Sequence, residues 1–264
     1  MTKISFPRCF LRTLALALPL ALAGNVHADE SSVKSGVEAY IGAGIQSLGA
    51  ISVDSVRRIS QGGLYEVMLS TGDLIYTDDA VSFIIDGHII DTRTRSDVTA
   101  VRLEQLSIID FAALPLDHAV KRVNGNGKRV IATFEDPNCS FCKRLGQELL
   151  KVKDVTLYTF LYPILSPDSE TKSRNIWCAE DRAQSWNDWL IKNRTPGTAQ
   201  CDSSVIDRNT ELGRKLRINS TPTLFFADGS RINGFRDAAI LEQKLAEIPK
   251  EQQEAGDKNQ ETAK

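Results

Sequence analysis

The sequence contains few residues of the types that define specialised proteins: its 264 residues include five cysteines, three histidines, three tryptophans and two methionines. Five cysteines are below the density of a small scaffold held together by disulfides. Acidic and basic side chains nearly balance, at 34 against 32, so the chain lacks the basic excess that binding to nucleic acid requires. With 42% hydrophobic and 25% charged residues, the composition excludes collagen-like, disordered and wholly membrane-embedded chains and predicts two modest globular domains.

Residues 1–28 have the pattern of a secretory signal peptide. A basic start precedes the apolar run 14–23, and Val26-His27-Ala28 is a small-residue cleavage site. The apolar run is too short for a bilayer about 30 Å thick, so we expect no membrane anchor. After cleavage, the remaining cysteines enter an oxidising compartment where disulfides form and persist. They are Cys139, Cys142, Cys178 and Cys201.

Residues 29–96 predict a small domain made of one helix and an antiparallel sheet. Apolar residues from Val33 to Leu48 recur at helical spacing. Between residues 51 and 95, short β-branched and aromatic runs alternate with glycine-containing turns. A thin sheet and one glycine-rich helix bury little apolar area, so we expect this domain to complete its core by forming a homodimer.

Residues 97–116 predict a linker helix. Asp97 is the expected N-cap, apolar residues continue at helical spacing toward Leu114, and Pro115 ends the helix. Helical periodicity does not reveal what a helix contacts. A free connection between two domains and packing on one of them therefore both remain open.

Residues 117–250 predict a second domain in which strands and helices alternate. We expect it to begin with a hairpin, in which residues 118–123 and 130–134 pair across the turn Asn124-Gly125-Asn126-Gly127. The predicted elements that follow are a helix opened by the cysteines, strand 155–161, a long helical region from Ser166 through Trp189, a hairpin around Asp228-Gly229, and a helix from Asp237 to Ile248. Residues 251–264 contain almost no apolar side chain and are predicted to be a disordered tail.

Cys139 and Cys142 form a Cys-x-x-Cys motif at the predicted start of a helix. This spacing places both sulfurs on one helical turn, with the first nearer the positive end of the helix dipole. A thiolate is the attacking species in disulfide exchange and also a good leaving group. We therefore expect Cys139 to be the nucleophile and Cys142 the resolving thiol. Lys143 and Arg144 are interpreted as a solvated helical turn with no assigned role.

A zinc site is the competing interpretation of a Cys-x-x-Cys motif, but it needs a second close pair of ligands. His88 and His118 lie upstream of the motif, and Cys178 and Cys201 are 23 residues apart. We therefore expect no metal and no cofactor. A structural disulfide between Cys178 and Cys201 is favoured over two free thiols in an oxidising compartment.

The dipeptide Thr221-Pro222 lies between two runs with strand-like composition. A central strand does not tolerate an ordinary trans proline. On the residues alone, a cis peptide bond and a proline in a turn or edge strand are both open, although base rates favour the second.

Together these motifs resemble the thioredoxin superfamily and, within it, the DsbC/DsbG type of periplasmic protein disulfide isomerase. The resemblance covers most of the chain after residue 28. It rests on three segments: Phe134-Glu135-Asp136-Pro137-Asn138-Cys139-Ser140-Phe141-Cys142, Ile176-Trp177-Cys178-Ala179 with Cys201, and Ser220-Thr221-Pro222-Thr223.

The resemblance implies a mixed α+β and α/β chain, with an N-terminal dimerisation domain, a linker helix and a C-terminal thioredoxin-like catalytic domain. It implies that Thr221 and a cis Pro222 face the active disulfide, beside Ser140 and Phe141, and that Cys178 and Cys201 form a structural bridge. It also implies a V-shaped homodimer in the periplasm that binds misfolded secreted proteins in its cleft and is kept reduced by an inner-membrane thiol reductant of the DsbD type.

Three other functions remain as alternatives to the isomerase. They are a periplasmic dithiol oxidase, a redox-independent chaperone and an oxidoreductase of the endoplasmic reticulum. The last is disfavoured because the terminal Glu261-Thr262-Ala263-Lys264 is not a retention signal.

The sequence departs from the family pattern at two places. Ser140-Phe141 stands where the isomerase type more often has Gly-Tyr and the DsbG type Pro-Tyr, so the redox poise is open. Six residues before Cys139, where thioredoxin has a buried acid, this chain has Thr133. The proton of Cys142 then needs another route, for which Glu135 and water are the alternatives.

Overall fold

A computed structural model describes residues 29–44, 51–250 and 252–253. The predicted signal peptide and most of the predicted tail therefore lie outside the described residues. The described part of the chain contains no helix both long and apolar enough to cross a membrane. Its elements confirm the predicted fold class: a helix with a small antiparallel sheet, followed by a mixed sheet covered by helices.

The N-terminal part of the chain packs one helix on a four-stranded antiparallel sheet. The helix is α1 (Glu30–Gly44), and the strands, in spatial order, are β1 (Val53–Arg58), β2 (Tyr65–Leu69), β3 (Leu74–Thr77) and β4 (Ile84–Asp86). Val33 and Val37 of the helix are fully buried against Val67 of the sheet. The last of the strand-like runs predicted between residues 51 and 95, at 88–90, is not part of this sheet. Instead β5 (Ile90–Asp91) and β6 (Ser96–Asp97) form a separate ribbon.

The linker helix is shorter than predicted. Helix α2 (Val98–Leu106) begins at the expected N-cap, where the Asp97 carboxylate accepts a hydrogen bond from Ala100 N at 2.8 Å. The expected continuation to Leu114 is wrong, because the backbone leaves the helix to bind the second domain. Ile109 N donates to Gly229 O at 3.1 Å. The apolar residues Phe111 and Leu114, which follow, are buried in the core of that domain.

The helix α2 itself packs on the N-terminal sheet. The hydroxyls of Tyr76 and Thr99 are 2.7 Å apart and buried. Arg102 Nε donates to the buried carboxylate of Glu66 at 3.0 Å. The linker therefore divides into an N-terminal half fixed to the first sheet and a C-terminal half fixed to the second domain.

The second domain is built on a five-stranded sheet whose order differs from the prediction. Its strands are β7 (Val120–Asn124), β8 (Arg129–Glu135), β9 (Val155–Leu161), β10 (Thr223–Phe226) and β11 (Arg231–Asn233), in the spatial order β11-β10-β8-β9-β7. The expected β7–β8 hairpin is wrong, because β9 lies between them, parallel to β8 and antiparallel to β7. Gly125 and Gly127, with φ of +63° and +68°, let the connection pass over the start of β9. There Asp154 accepts a hydrogen bond from Asn126 N at 3.0 Å.

Five helices surround this sheet. They are α3 (Ser140–Leu149), α4 (Pro167–Trp177), α5 (Arg182–Lys192), α6 (Val205–Lys215) and α7 (Ala238–Glu247). The predicted long helical region is two helices, because the chain leaves α4 at Cys178 and Asp181 caps α5. Helix α6 was not predicted. At residues 252–253 the structure also differs from the predicted tail, since both are helical and the buried Gln253 amide donates to Leu245 O and Ile248 O.

The central strand β8 directs the chain into the motif. Its Ile131 packs with Leu145 and Leu149 of α3 on one face of the sheet. On the opposite face, Phe134 stacks on Phe160 with ring centroids 4.7 Å apart. Because both faces are covered, β8 and α3 are held rigidly, and Cys139 lies at their junction.

The contact between the linker and the second domain makes Gly229 a sensitive position. It has φ of +78°, and an added Cβ would lie 2.0 Å from Ile109 O. We expect Gly229→Ala to lower the free energy of unfolding by about 2–4 kcal/mol. The control is Gly234→Ala, which has φ of +78° and no atom within 4 Å of its added Cβ. Backbone strain alone should cost it about 1 kcal/mol. Denaturant unfolding measures both, and equal losses would contradict the steric explanation.

Candidate active site

Cys139 is the N-cap of α3, so its sulfur occupies the place where a helix most favours negative charge. The Sγ atom accepts a hydrogen bond from the backbone N–H of Cys142 at 3.2 Å. The backbone N–H of Cys139 donates to Asp136 O at 3.0 Å, which forms the tight turn between β8 and the helix. The Cys139 sulfur therefore lies at the N-terminus of α3, as the position of the motif in the sequence predicts.

Both cysteines of the motif are free thiols, but their exposure differs. Cys139 is 5% exposed and Cys142 is completely buried beneath it. Ser140 and Phe141, between them, are exposed. Solvent therefore reaches a small part of the Cys139 side chain and none of the Cys142 side chain.

Thr221 and Pro222 are brought to the motif by the sheet. Strand β10 pairs antiparallel with β8, so that Thr223 lies opposite Phe134. The Thr221-Pro222 peptide bond just before this strand is cis. The Cys139 thiol donates to Thr221 O at 3.2 Å. Of the two alternatives left open by the residues, the structure has the cis bond, next to the residue that contacts Cys139.

Hydrogen bonding makes Cys139 the more acidic thiol of the pair. Its pKa is lowered to about 6, chiefly by a hydrogen bond from the Cys142 side chain, and further by the Thr221 side chain and the backbone N–H groups of Cys142 and Phe141. Burial opposes this shift but does not cancel it. At pH 7 Cys139 is mostly thiolate, the form that attacks disulfides.

The environment of Cys142 has the opposite effect. Burial raises the pKa of this thiol strongly, and its hydrogen bond to Cys139 and the negative charge of Glu135 raise it further. Cys142 therefore remains protonated while Cys139 is ionised. To act as a nucleophile it must lose its proton to a neighbouring group.

Glu135 is a fully buried carboxyl group at the end of β8. Its Oε1 accepts a hydrogen bond from Thr133 Oγ1 at 2.7 Å, whereas Oε2 has no hydrogen-bond partner. Burial raises the pKa of Glu135 to about 7, and the nearby charge of Arg122 limits that rise. Glu135, one of the two proton acceptors that the sequence suggested for Cys142, is thus a carboxyl group that exchanges its proton near neutral pH.

Sequence reasoning missed two residues that shape this region. Arg122, on β7, is half-buried, and its Nε and Nη2 atoms are buried without a hydrogen-bond partner. No sequence motif indicates a role for Arg122, because polar and apolar residues simply alternate around it. Asp136 is also buried, and its Oδ2 accepts hydrogen bonds from Ile164 N at 2.8 Å and Leu165 N at 2.9 Å. Its place in the turn-forming Asp-Pro-Asn sequence was the available signal.

The hydrogen bonds of Asp136 hold two exposed apolar residues to the loop that precedes Cys139. Ile164 and Leu165, which it holds, are 39% and 56% exposed, and Phe141 is 51% exposed. Exposed apolar side chains next to a reactive thiol are suited to contact unfolded chains.

Cys178 and Cys201 are joined by a disulfide that ties the end of α4 to the segment before α6. Disulfide-bonded sulfurs are not zinc ligands, so Cys178 and Cys201 cannot supply the second pair that a zinc site at the motif would need. Among the residues that the structure describes, no cluster of three or more Cys, His, Asp or Glu side chains is arranged to hold a metal.

Comparison with known families matches both parts of the chain. Residues 24–100 match the disulfide bond isomerase protein N-terminal domain, and residues 116–249 match a thioredoxin-like domain. The matches cover the helix-and-sheet unit with the start of α2, and the domain that carries the motif.

Individual relatives agree with these matches. The chain is 49% identical over 200 residues to the probable thiol:disulfide interchange protein DsbC of Bordetella pertussis, covering 76% of this chain and 71% of that protein. It is 24% identical over 243 residues to the thiol:disulfide interchange protein DsbC of Escherichia coli strain K12, covering 90% and 96% of the two chains. A crystal structure of a disulfide interchange protein from Neisseria gonorrhoeae is 43% identical, covers 50% of this chain and 96% of that one, and has a TM-score of 0.49. The chain belongs to the DsbC family of thiol:disulfide interchange proteins.

Proposed function

We propose that the protein rearranges non-native disulfides in secreted proteins, with Cys139 as the nucleophile and Cys142 as the resolving thiol. The observation that carries this proposal is the difference between the two sulfurs. One has its pKa lowered to about 6 at a helix terminus. The other is completely buried and stays protonated. Such a pair attacks a disulfide readily and resolves the product only when a proton acceptor takes part.

The isomerisation cycle balances without an external electron donor. The Cys139 thiolate attacks one sulfur of a client disulfide, which breaks the client S–S bond and releases the second client sulfur as a thiolate. A client thiolate then attacks the client sulfur of the mixed disulfide, and Cys139 leaves as a thiolate. The client ends with a different disulfide and the enzyme is unchanged.

A second branch ends in net reduction of the client. Here the Cys142 thiol gives up its proton, attacks Cys139 and releases the client sulfur as a thiolate, which leaves a Cys139–Cys142 disulfide. We propose that Glu135 takes this proton, because its carboxyl group is buried and interacts electrostatically with Cys142. Two electrons must then return from a thiol reductant, for which we propose an inner-membrane donor of the DsbD type.

The remaining predicted site residues hold the nucleophile and its client. We propose that Thr221 and the cis Pro222 shape the opening above Cys139, since Thr221 O contacts its sulfur. Ser140 and Phe141 form the exposed part of the motif that a client meets first. The disulfide of Cys178 and Cys201 has a structural role, because it joins elements behind the motif.

We further propose that the protein acts in the periplasm as a homodimer formed by residues 29–96. The small core of this unit, one helix on a thin sheet, favours association with a second copy. Two catalytic domains would then face a shared cleft that holds misfolded chains in a chaperone-like manner. Light scattering should give twice the mass of the processed chain.

The state of the motif in cells distinguishes an isomerase from a dithiol oxidase. Rapid acid quenching followed by alkylation of free thiols should find Cys139 and Cys142 largely reduced. An oxidase would be found largely as the disulfide, which would contradict the proposal. If a variant lacking both cysteines refolds scrambled clients as well as the native protein does, the function is that of a redox-independent chaperone instead.

A further inference from the structure

Arg144 holds a positive charge beside the exposed part of the motif. It lies in the second turn of α3, and its guanidinium carbon is 4.3 Å from the ring centroid of Phe235 and 5.5 Å from that of Phe141. Phe235 is itself packed against the core beneath α3 and α7. Two aromatic rings therefore restrain the guanidinium on a surface that Phe141, 51% exposed, shares.

This arrangement leaves the hydrogen-bonding edge of the guanidinium available. The ring contacts use none of its five N–H donors, which lie in one plane and suit a carboxylate, and within the described residues Arg144 donates no hydrogen bond. The acid on the same helix that interacts with Arg144 is Glu148. The oxygens of Glu148 are already hydrogen-bonded to Lys151 Nζ at 2.6 Å and Ala238 N at 3.1 Å. Within the described part of the chain, no carboxylate forms an ion pair with Arg144.

The other charges around the motif do not neutralise Arg144. Lys143 Nζ is bonded to the Asn193 amide oxygen at 2.7 Å and lies over Trp189, without a carboxylate partner. Arg236 Nη1 donates to a backbone oxygen, Phe235 O, at 2.7 Å.

Two further acids, Asp237 and Asp168, also bond to groups other than Arg144. Asp237 accepts the N–H of Ile240 at the start of α7, and Asp168 pairs with Lys172. Within the residues that the structure describes, Arg144, Lys143 and Arg236 therefore form no ion pair.

We propose that Arg144 binds a carboxylate on the client close to the cysteine under attack, so that the enzyme reacts faster with disulfides flanked by acidic residues. This inference rests on the proposed function and adds a client preference to it. The carboxylate pairs with a cation that the rings already hold in place, so little side-chain freedom is lost on binding. Arg144 affects the rate at which Cys139 attacks the client disulfide, and the resolution of the mixed disulfide is the same for all clients.

The experiment uses three short peptides that contain one cysteine, differ only in a neighbouring Glu, Gln or Lys, and carry thionitrobenzoate as a mixed-disulfide leaving group. The reduced full-length protein is mixed with each peptide at pH 8, where Cys139 is ionised. Each second-order rate constant is divided by that of 2-mercaptoethanol with the same peptide, which removes intrinsic differences in reactivity. We expect the Glu peptide to exceed the Gln peptide by about three- to tenfold at low ionic strength. The ratio should fall toward one in 1 M salt.

Two variants make the test specific. Arg144→Met keeps an apolar stem against the rings but removes the charge, and it should reduce the Glu-to-Gln ratio to about one. Arg214→Met removes an exposed arginine from α6 and should keep the native ratio. A native ratio near one, a preference for the Lys peptide, or an equal slowing of all three peptides by Arg144→Met would overturn the inference. If the native protein reacts with none of the peptides faster than the small thiol does, the proposed function itself fails.

Discussion

Alanine at Cys139 is expected to reduce the refolding of a client with scrambled disulfides to the rate without enzyme. The side chain removed is the one whose pKa is lowered to about 6. Cys142 cannot replace it, because that thiol is completely buried and its pKa is raised. Recovery of client activity in a glutathione buffer measures the rate.

The matched variant is Cys142→Ala, which keeps the attacking sulfur. It should retain part of the isomerase activity, because a client thiol can still resolve the mixed disulfide, and it should accumulate mixed disulfides detectable by mass spectrometry. Both substitutions remove one sulfur from the same helical turn, so circular dichroism should show the same folded spectrum for each. Native refolding activity in Cys139→Ala, or equal losses in the two variants, would contradict the assigned roles.

Glutamine at Glu135 is expected to slow the step in which Cys142 displaces a bound client by about 100-fold at pH 8. In the native protein this step should accelerate as pH rises through about 7, because the carboxylate form accepts the proton and burial has raised its pKa to about 7. The amide has nearly the same size but cannot accept a proton in this range, so the acceleration near pH 7 should disappear. Quenched-flow measurement of client release from a preformed mixed disulfide follows the step directly.

Glu135→Gln should also change how the free energy of unfolding depends on pH. This change reports on the proton of Glu135 and not on how its side chain packs. The folded pKa of Glu135 exceeds its ordinary value of 4.5, so the folded state binds the proton more tightly than the unfolded state. Glu135 therefore contributes most to the free energy of unfolding below about pH 4.5. This contribution falls by about 3 kcal/mol as the pH rises to 7. In Glu135→Gln, the free energy of unfolding measured with denaturant should not show this decline between about pH 4.5 and 7.

A suitable control is Glu66→Gln, which alters a buried glutamate in the N-terminal sheet. It should leave the release step unchanged, since Glu66 bonds to Arg57 and Arg102 and not to residues of the motif. If Glu135→Gln releases the client at the native rate and with the native dependence on pH, water and not Glu135 accepts the proton of Cys142.

Local features of this protein were predictable because they depend on near neighbours in the chain. Asp97, Ser166 and Asp237 each accept a backbone N–H three residues later, as expected of helix caps. The same holds for the motif: Cys139 begins a helix because the residues around it specify a turn and then a helix. The helix terminus and the neighbouring thiol then lower its pKa.

Features that depend on strand order were not predictable. The turn at Gly125 and Gly127 has the composition of a hairpin, but hairpin pairing would exclude β9 from its place between β7 and β8. Likewise, the helical periodicity toward Leu114 is real in the sequence, yet Phe111 and Leu114 are buried in the second domain and the helix ends earlier. Burial against a distant element outweighed local preference in both cases.

The sequence by itself predicted the reactive pair, Cys139 and Cys142, and the start of their helix, since both follow from residue types at short spacing. The resemblance to the family added the proline segment, Thr221-Pro222. Only the tertiary structure decided that Thr221 O is the atom that contacts Cys139, that the charge of Arg122 acts on the buried Glu135, and that Arg144 lies close to the rings of Phe141 and Phe235. These contacts join residues far apart in the chain. Their energies depend on burial and distance, which exist only after the strands have taken their order.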